Sequence, residues 1–169
     1  MYNIFKQLKK IYSYFQIVDI YENKLYSPIN LDKKYKLHVY NSFVKIKKKE
    51  LLSYFKKFQN KKKRFKKKQS FLALMNKDRL LSSGWIFKGN DWLIEEINKK
   101  ISLKNKMILF DFITPEAYRN KGYYSKLLLL INKKFKGHRL IIYTLQSNIF
   151  SKKGIENSGF TLIKTLKRF

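Results

Sequence analysis

The segment Thr114-Pro115-Glu116-Ala117-Tyr118-Arg119-Asn120-Lys121-Gly122-Tyr123-Tyr124-Ser125 carries the densest chemical signal in this 169-residue chain. It lies between a strongly apolar run at 107–113 and a helical stripe of Tyr124, Leu127, Leu128, Ile131 and Phe135. A strand that feeds a short loop and then opens a helix leaves backbone N–H groups unpaired at the helix N-terminus, where the helix dipole adds partial positive charge. Such an end is an anion site suited to a pyrophosphate. Gly122 lets the backbone approach phosphate closely, and Arg119 and Lys121 add positive charge. One Arg and one Gly at this spacing also occur by chance, so a second signal is needed. Downstream, an apolar run at 140–145 leads to Asn148-Ile149-Phe150-Ser151 and then to Ile155-Glu156-Asn157-Ser158-Gly159-Phe160.

Together the two segments resemble the GNAT acyltransferase superfamily. The family's loop reads Arg or Gln, two residues, Gly, one residue, Gly or Ala, after a Pro-acidic turn; Arg119, Gly122 and Pro115-Glu116 match it. Its second signature runs from an Asn, through a small residue three positions on, to Gly-Phe at positions eleven and twelve, where Asn148, Ser151, Gly159 and Phe160 fall. The resemblance covers 107–166 and extends over 69–106. It implies that acetyl-CoA is a co-substrate, its pyrophosphate held by the backbone of Arg119, Asn120, Lys121, Gly122, Tyr123 and Tyr124, with Ser125 in the first helical turn. The main chain of Phe112, Ile113 and Thr114, on a strand that splays from 143–146, would pair with the pantetheine arm. Asn148 would bond that arm, and Ser151 would start the helix beside it. The implied reaction is direct attack of an acceptor amine or hydroxyl on the thioester while a base removes its proton.

Two positions depart from the family pattern. Tyr124 stands where Gly or Ala is usual, as similar tyrosines do in a GNAT subgroup associated with surface-polysaccharide genes, which this chain also resembles in the strand around Trp85. Ile155 stands where many members carry a general-acid Tyr. The proton for the leaving thiolate must then come from Ser151, Tyr143 or water; otherwise the protein binds acyl-CoA without turnover. For the base, Asp111 is the most suggestive acid, because partial burial in an apolar run would raise its pKa toward a useful value. Its alternative role is to pair a neighbouring Lys. Glu95 and Glu96 compete with it, and strand alternation would let only one of the two face the cleft. Trp85 and Trp92 read as core or cleft wall, and His138, in a turn, as a surface residue.

The elements that must position these groups follow from apolar periodicity. Helical spacing of Ile4, Leu8, Ile11 and Phe15 predicts a first helix, packed on the domain or lying on a membrane surface. A short strand over 16–21, a turn at 27–30 and a strand over 35–44 follow. Leu51, Leu52, Phe55 and Phe58 predict an amphipathic helix. Runs at 71–75, 80–87 and 92–101 read as consecutive strands of an antiparallel meander, joined by turns at 76–78 and 89–90. Strand 107–113, helix 121–135, strand 140–145, helix 150–158 and strand 160–166 complete the chain. The expected fold is α/β: a central twisted mixed sheet of GNAT type, with helices on its faces. One domain is expected over 1–169, with variable N-terminal elements over 1–68 and an acyl-CoA-binding core over 69–169.

Composition bounds the remaining classes. With 39 Lys and Arg against 11 Asp and Glu, the net charge is +28, which invites nucleic acid or an anionic membrane as partner. Lys supplies 34 of the 39, and only two alanines are present (Ala73, Ala117), the pattern of an AT-rich genome that spreads lysine without function. The concentrated exception is 45–68, with thirteen Lys or Arg and Glu50 as its one acid. It reads as a solvated face or as a polyanion patch, and an RNA-directed protein is the alternative function it motivates. No cysteine is present, and His38 and His138 lie a hundred residues apart, so neither a thiolate nor a metal site is expected. Without a signal-like or membrane-spanning run, the expectation is a cytoplasmic monomer or homodimer acting on a small molecule.

Overall fold

The computed structural model describes residues 16–24 and 34–168, so the expected helix over 4–15 and turn at 27–30 lie outside the described residues. Nine strands and four α-helices form among those described: β1 (Ile17–Asn23), β2 (Tyr35–Tyr40), α1 (Lys49–Lys57), α2 (Lys63–Lys66), β3 (Ser70–Asn76), β4 (Arg79–Lys88), β5 (Asp91–Ile94), β6 (Lys99–Ser102), β7 (Lys106–Ile113), α3 (Tyr123–Lys134), β8 (Arg139–Leu145), α4 (Ile149–Glu156) and β9 (Phe160–Lys167). Seven strands make one mixed sheet in the order β2-β3-β4-β7-β8-β1-β9. Within it β7 and β8 run parallel and the other neighbours antiparallel.

The sheet is sandwiched, and strand alternation sorts its side chains to two cores. Phe71, Ala73 and Met75 of β3, with Trp85, Ile108 and Phe110, meet Leu51 and Phe55 of α1 and Phe65 of α2. Leu72 and Leu74, with Leu109, Leu140 and Ile142, meet Leu127, Leu128 and Ile131 of α3 and Ile155 of α4. Burial on both faces explains why 71–75 is apolar without a break. Phe55 and Trp85, both fully buried, pack edge to face at 6.2 Å and fix α1 on the sheet.

Three expectations are corrected. The segment 92–101 is not one strand: it folds as the separate hairpin β5–β6, with Trp92 opposite Ile101 and the turn at 95–98. Asn98, at φ 49°, supplies the left-handed residue that closes this turn. The meander therefore continues from β4 directly to β7, with β5–β6 inserted between them in sequence. The strand expected over 35–44 ends at Tyr40, and Phe43–Lys45 form a single 3-10 turn.

Candidate active site

The parallel register of β7 and β8 runs from Lys106 opposite Arg139 to Leu109 opposite Ile142 and stops there. Beyond that point the two strands part, as expected for Phe112–Thr114 and 143–146. The cause lies in β7. Ser83 of β4 faces Ile113 while Trp85 faces Phe110, so Asp111 and Phe112 both stand opposite Gly84. This is a β-bulge, with Asp111 at φ 49°, and it bends β7 away from β8. The bulge also moves Phe112 onto the α3–α4 face, although Phe110 lies in the opposite core. Gly84 makes room for it: a Cβ there would sit 2.4 Å from the Phe112 ring.

The opening is a cleft of about 220 Å³. Phe110, Asp111 and Phe112 of β7 line one side, Tyr143 and Thr144 of β8 the other; Glu96, Tyr124, Asn148 and Ser151 close it. Thr114, just past β7, lies 3.0 Å from the Ser82 hydroxyl through its own Oγ1, and Ile113 is paired within the sheet.

The loop arrives at the same place. After a 3-10 turn at Glu116–Tyr118, Asn120 (φ 59°) and Gly122 (φ 71°) turn the chain so that Gly122 caps α3. The first helical bond from this end is Lys126 N–H to the Gly122 carbonyl, at 3.0 Å, so the amides ahead of it point out of the helix end. A Cβ on Gly122 would meet nothing within 4 Å. Its backbone conformation, and not a tight contact inside the chain, is what calls for glycine here. Arg119 and Lys121 are exposed and bond backbone carbonyls of their own loop, Thr114 at 3.4 Å and Ala117 at 3.0 Å. Tyr123 packs edge-on against Tyr35 at 5.9 Å, and Ser125 donates to the Gly154 carbonyl at 3.2 Å, tying α3 to α4.

Helix α4 is held by its own cap and by a buried ion pair. Asn148 is its N-cap, with Oδ1 accepting from the Ser151 N–H at 3.0 Å. Beneath the helix, Asp19 is 1% exposed, takes Lys152 Nζ at 2.7 Å and accepts the Thr165 hydroxyl at 2.7 Å. Ile155, the position without a family Tyr, is fully buried in the α3–α4 core.

Among the acids, Asp111 reaches the cleft but its Oδ2 receives both Lys61 Nζ and Arg64 Nη1, each at 2.5 Å. These two cations stand at i and i+3, so they project from one side of the chain. The charge run at 61–68 is thus partly turned inward: Lys61 is 8% exposed, and the Arg64 guanidinium lies 5.2 Å over the rings of both Trp85 and Phe110. Glu95 is exposed, whereas Glu96 lines the cleft with a buried Oε2 that has no hydrogen-bond partner among the described residues. The pair stand in a turn, so it is the hairpin geometry and not strand alternation that separates them. Burial pushes the Tyr143 phenol well above its ordinary value, and the nearby charge of Glu96 raises it further. Burial likewise raises Tyr124, whose ring packs edge-on to Phe112 at 5.3 Å. Trp85 is core, and Trp92 packs at a tilt on Phe110, ring centroids 4.4 Å apart, beside the cleft. No group of three or more His, Asp or Glu that could hold a metal occurs among the described residues. Nor is any described helix long and apolar enough to cross a membrane.

By sequence, no family model and no curated protein matches the chain. By structure, it is similar to a GNAT-family acetyltransferase from Colwellia psychrerythraea (TM-score 0.59, 18% identity, 87% of this chain and 53% of that one). A GCN5-related N-acetyltransferase from Sphaerobacter thermophilus gives a TM-score of 0.55 at 7% identity, over 98% of this chain and 54% of that one. A conserved protein of unknown function from Staphylococcus epidermidis gives 0.58 at 9% identity, over 94% and 63%. The chain thus spans between half and two thirds of the length of these solved structures. The mixed sheet with its parted parallel strands and flanking helices is the GNAT fold.

Proposed function

We propose that the protein is an acyltransferase that moves an acetyl group from acetyl-CoA to an amine or hydroxyl of a small molecule. The observation that carries this reading is the opening of the β7–β8 splay beside the N-terminal end of α3, where Gly122 brings no side-chain cap. An acyl-CoA fits that arrangement. The outward amides and the open space over Gly122 suit a pyrophosphate. The edge of β7 past Leu109 has no strand on its β8 side and suits the amides of a pantetheine arm. Asn148 spends only its Oδ1 on the helix cap, which leaves its NH₂ for a ligand carbonyl. Bound there, acetyl-CoA supplies an activated thioester. A sugar precursor of cell-surface polysaccharide is the acceptor class that the family resemblance suggests.

In this proposal Glu96 is the base and Tyr143 the acid. A carboxylate oxygen that is buried and unpartnered is free to take the acceptor's proton as the new N–C or O–C bond forms. Tyr143 lines the cleft, where its O–H can hydrogen-bond the thiolate as the C–S bond breaks; burial raises the phenol and so makes it a weaker proton donor than a free tyrosine. Asp111 keeps the lesser claim, because Lys61 and Arg64 already occupy it. The test is thiol release from acetyl-CoA with a panel of small amines and amino sugars. Glu96→Gln is expected to lower kcat by about 10²-fold or more with acetyl-CoA affinity intact. Full activity in Glu96→Gln, with a large loss in Asp111→Asn, would hand the role to Asp111.

A further inference from the structure

A second concavity, about 440 Å³ and so larger than the cleft, lies at the β2 edge of the sheet. Lys34, Lys36 and His38 come from β2 and the residue before it, Lys77 and Asp78 from the β3–β4 turn, and Lys48 from the N-cap of α1. None of these belongs to the acyl-CoA site proposed above. Its charge is unbalanced. Four lysines face one carboxylate, Asp78, which is already taken by Lys48 at 2.7 Å. Lys48 also donates to the Lys77 carbonyl at 3.2 Å, which ties the N-terminal end of α1, with Glu50 in its first turn, to the β3–β4 turn. Burial first, then the charges of Lys48 and Lys36, hold the His38 imidazole below its ordinary value. Its ring stacks on Tyr40 in the wall of the pocket.

We infer that this pocket binds a compact phosphate-bearing small molecule, recognised by Lys36 and Lys77 beside the Lys48–Asp78 pair, with His38 as a hydrogen-bond partner. Concavity favours a small polyphosphate or phosphomonoester over an extended strand, which a flat basic stripe would serve better. The site differs from the 45–68 run that first suggested a polyanion. Only Lys48 belongs to both, and two cations of that run are committed to Asp111.

The chain has two histidines, so each can be followed separately by NMR. Pyrophosphate is the probe. On saturation the His38 titration midpoint is expected to climb by about 0.5 or more, because a bound anion favours the imidazolium. His138, distant in the chain and outside the pocket, should not move. Lys36→Gln and Lys77→Gln, both on exposed positions, should each weaken the His38 response about tenfold in pyrophosphate concentration. An unmoved His38, or equal movement of both histidines, overturns the inference. So does an oligonucleotide that shifts His38 when pyrophosphate does not. Pyrophosphate also suits the loop at Gly122, whose Tyr123 packs on Tyr35 of β2, so the titration is repeated in Gly122→Trp: a His38 response that persists there belongs to this pocket, and one that vanishes overturns the inference.

Discussion

Gly154 and Tyr124 offer a test in which one substitution should change sign with its background. Gly154 is buried in α4, and a Cβ built on it would lie 2.7 Å from Tyr124 Cδ1 and 2.9 Å from Cε1. The ring has little room to retreat, since its other side meets Phe112 at 5.3 Å. Two terms then oppose each other in Gly154→Ala. Helix propensity favours alanine by up to about 1 kcal/mol. Overpacking against a ring atom that is not the tip of a flexible chain costs about 1–3 kcal/mol. The wild type should therefore lose up to about 2 kcal/mol, or about 4–8 °C in melting temperature for a chain of this size. In a Tyr124→Ala background the clash is gone and the same substitution should gain about 1 kcal/mol. Urea unfolding followed by fluorescence of Trp85 and Trp92 gives all four corners of the cycle. Equal stabilisation in both backgrounds would refute the contact, and with it the placing of Tyr124 as a fixed wall of the cleft.

Three further outcomes are expected. Lys152→Met leaves the Asp19 carboxylate, 1% exposed, without its cation and should cost about 3 kcal/mol or more in urea unfolding; a cost below about 1 kcal/mol would mean that water or another group replaces it. For Glu22, burial works to raise the carboxyl, but hydrogen bonds and charge from Arg139 and Lys106 outweigh it and hold the group below 4.5. Its stabilising contribution is therefore full above that ordinary value and is lost as pH falls through the lowered folded one, so Glu22→Gln should lower stability in the neutral region, flatten the acid limb of a stability–pH curve and converge on the wild type at the most acid end. Asp111→Asn should loosen α1 and α2 more than it slows turnover, seen as faster hydrogen exchange over 49–66.

The loop was legible because its requirements are local. Gly122, the Arg and Lys before it and the apolar stripe after it are adjacent in the chain, whereas Asn148 entered through the family signature and its role as the N-cap of α4 emerged only from the structure. What stayed hidden depends on pairing across the sheet. The insertion of β1 between β8 and β9 leaves no trace in residues 17–23, which read only as a short strand. The bulge at Asp111 is set by Gly84 on a neighbouring strand, and it alone sends Phe112 to the face opposite Phe110. The turn at 95–98 was masked by the apolar residues Trp92, Leu93, Ile94, Ile97 and Ile101 around it, although Glu95, Glu96 and Asn98 are poor strand formers. Lys61 and Arg64 were submerged in a charge run whose other members give no reason to single them out, except that a spacing of three aims both the same way.

The central claim is that the parted strands and the end of α3 hold an acyl-CoA, and calorimetry with acetyl-CoA addresses it directly. The wild type should bind, and Gly122→Trp, which fills the space over the loop with an indole and strains a residue at φ 71°, should lose that affinity by tenfold or more while keeping its fold by circular dichroism. Wild-type protein that shows no heat and no thermal shift with acetyl-CoA would contradict the account; binding that survives Gly122→Trp unchanged would move the pyrophosphate away from the loop.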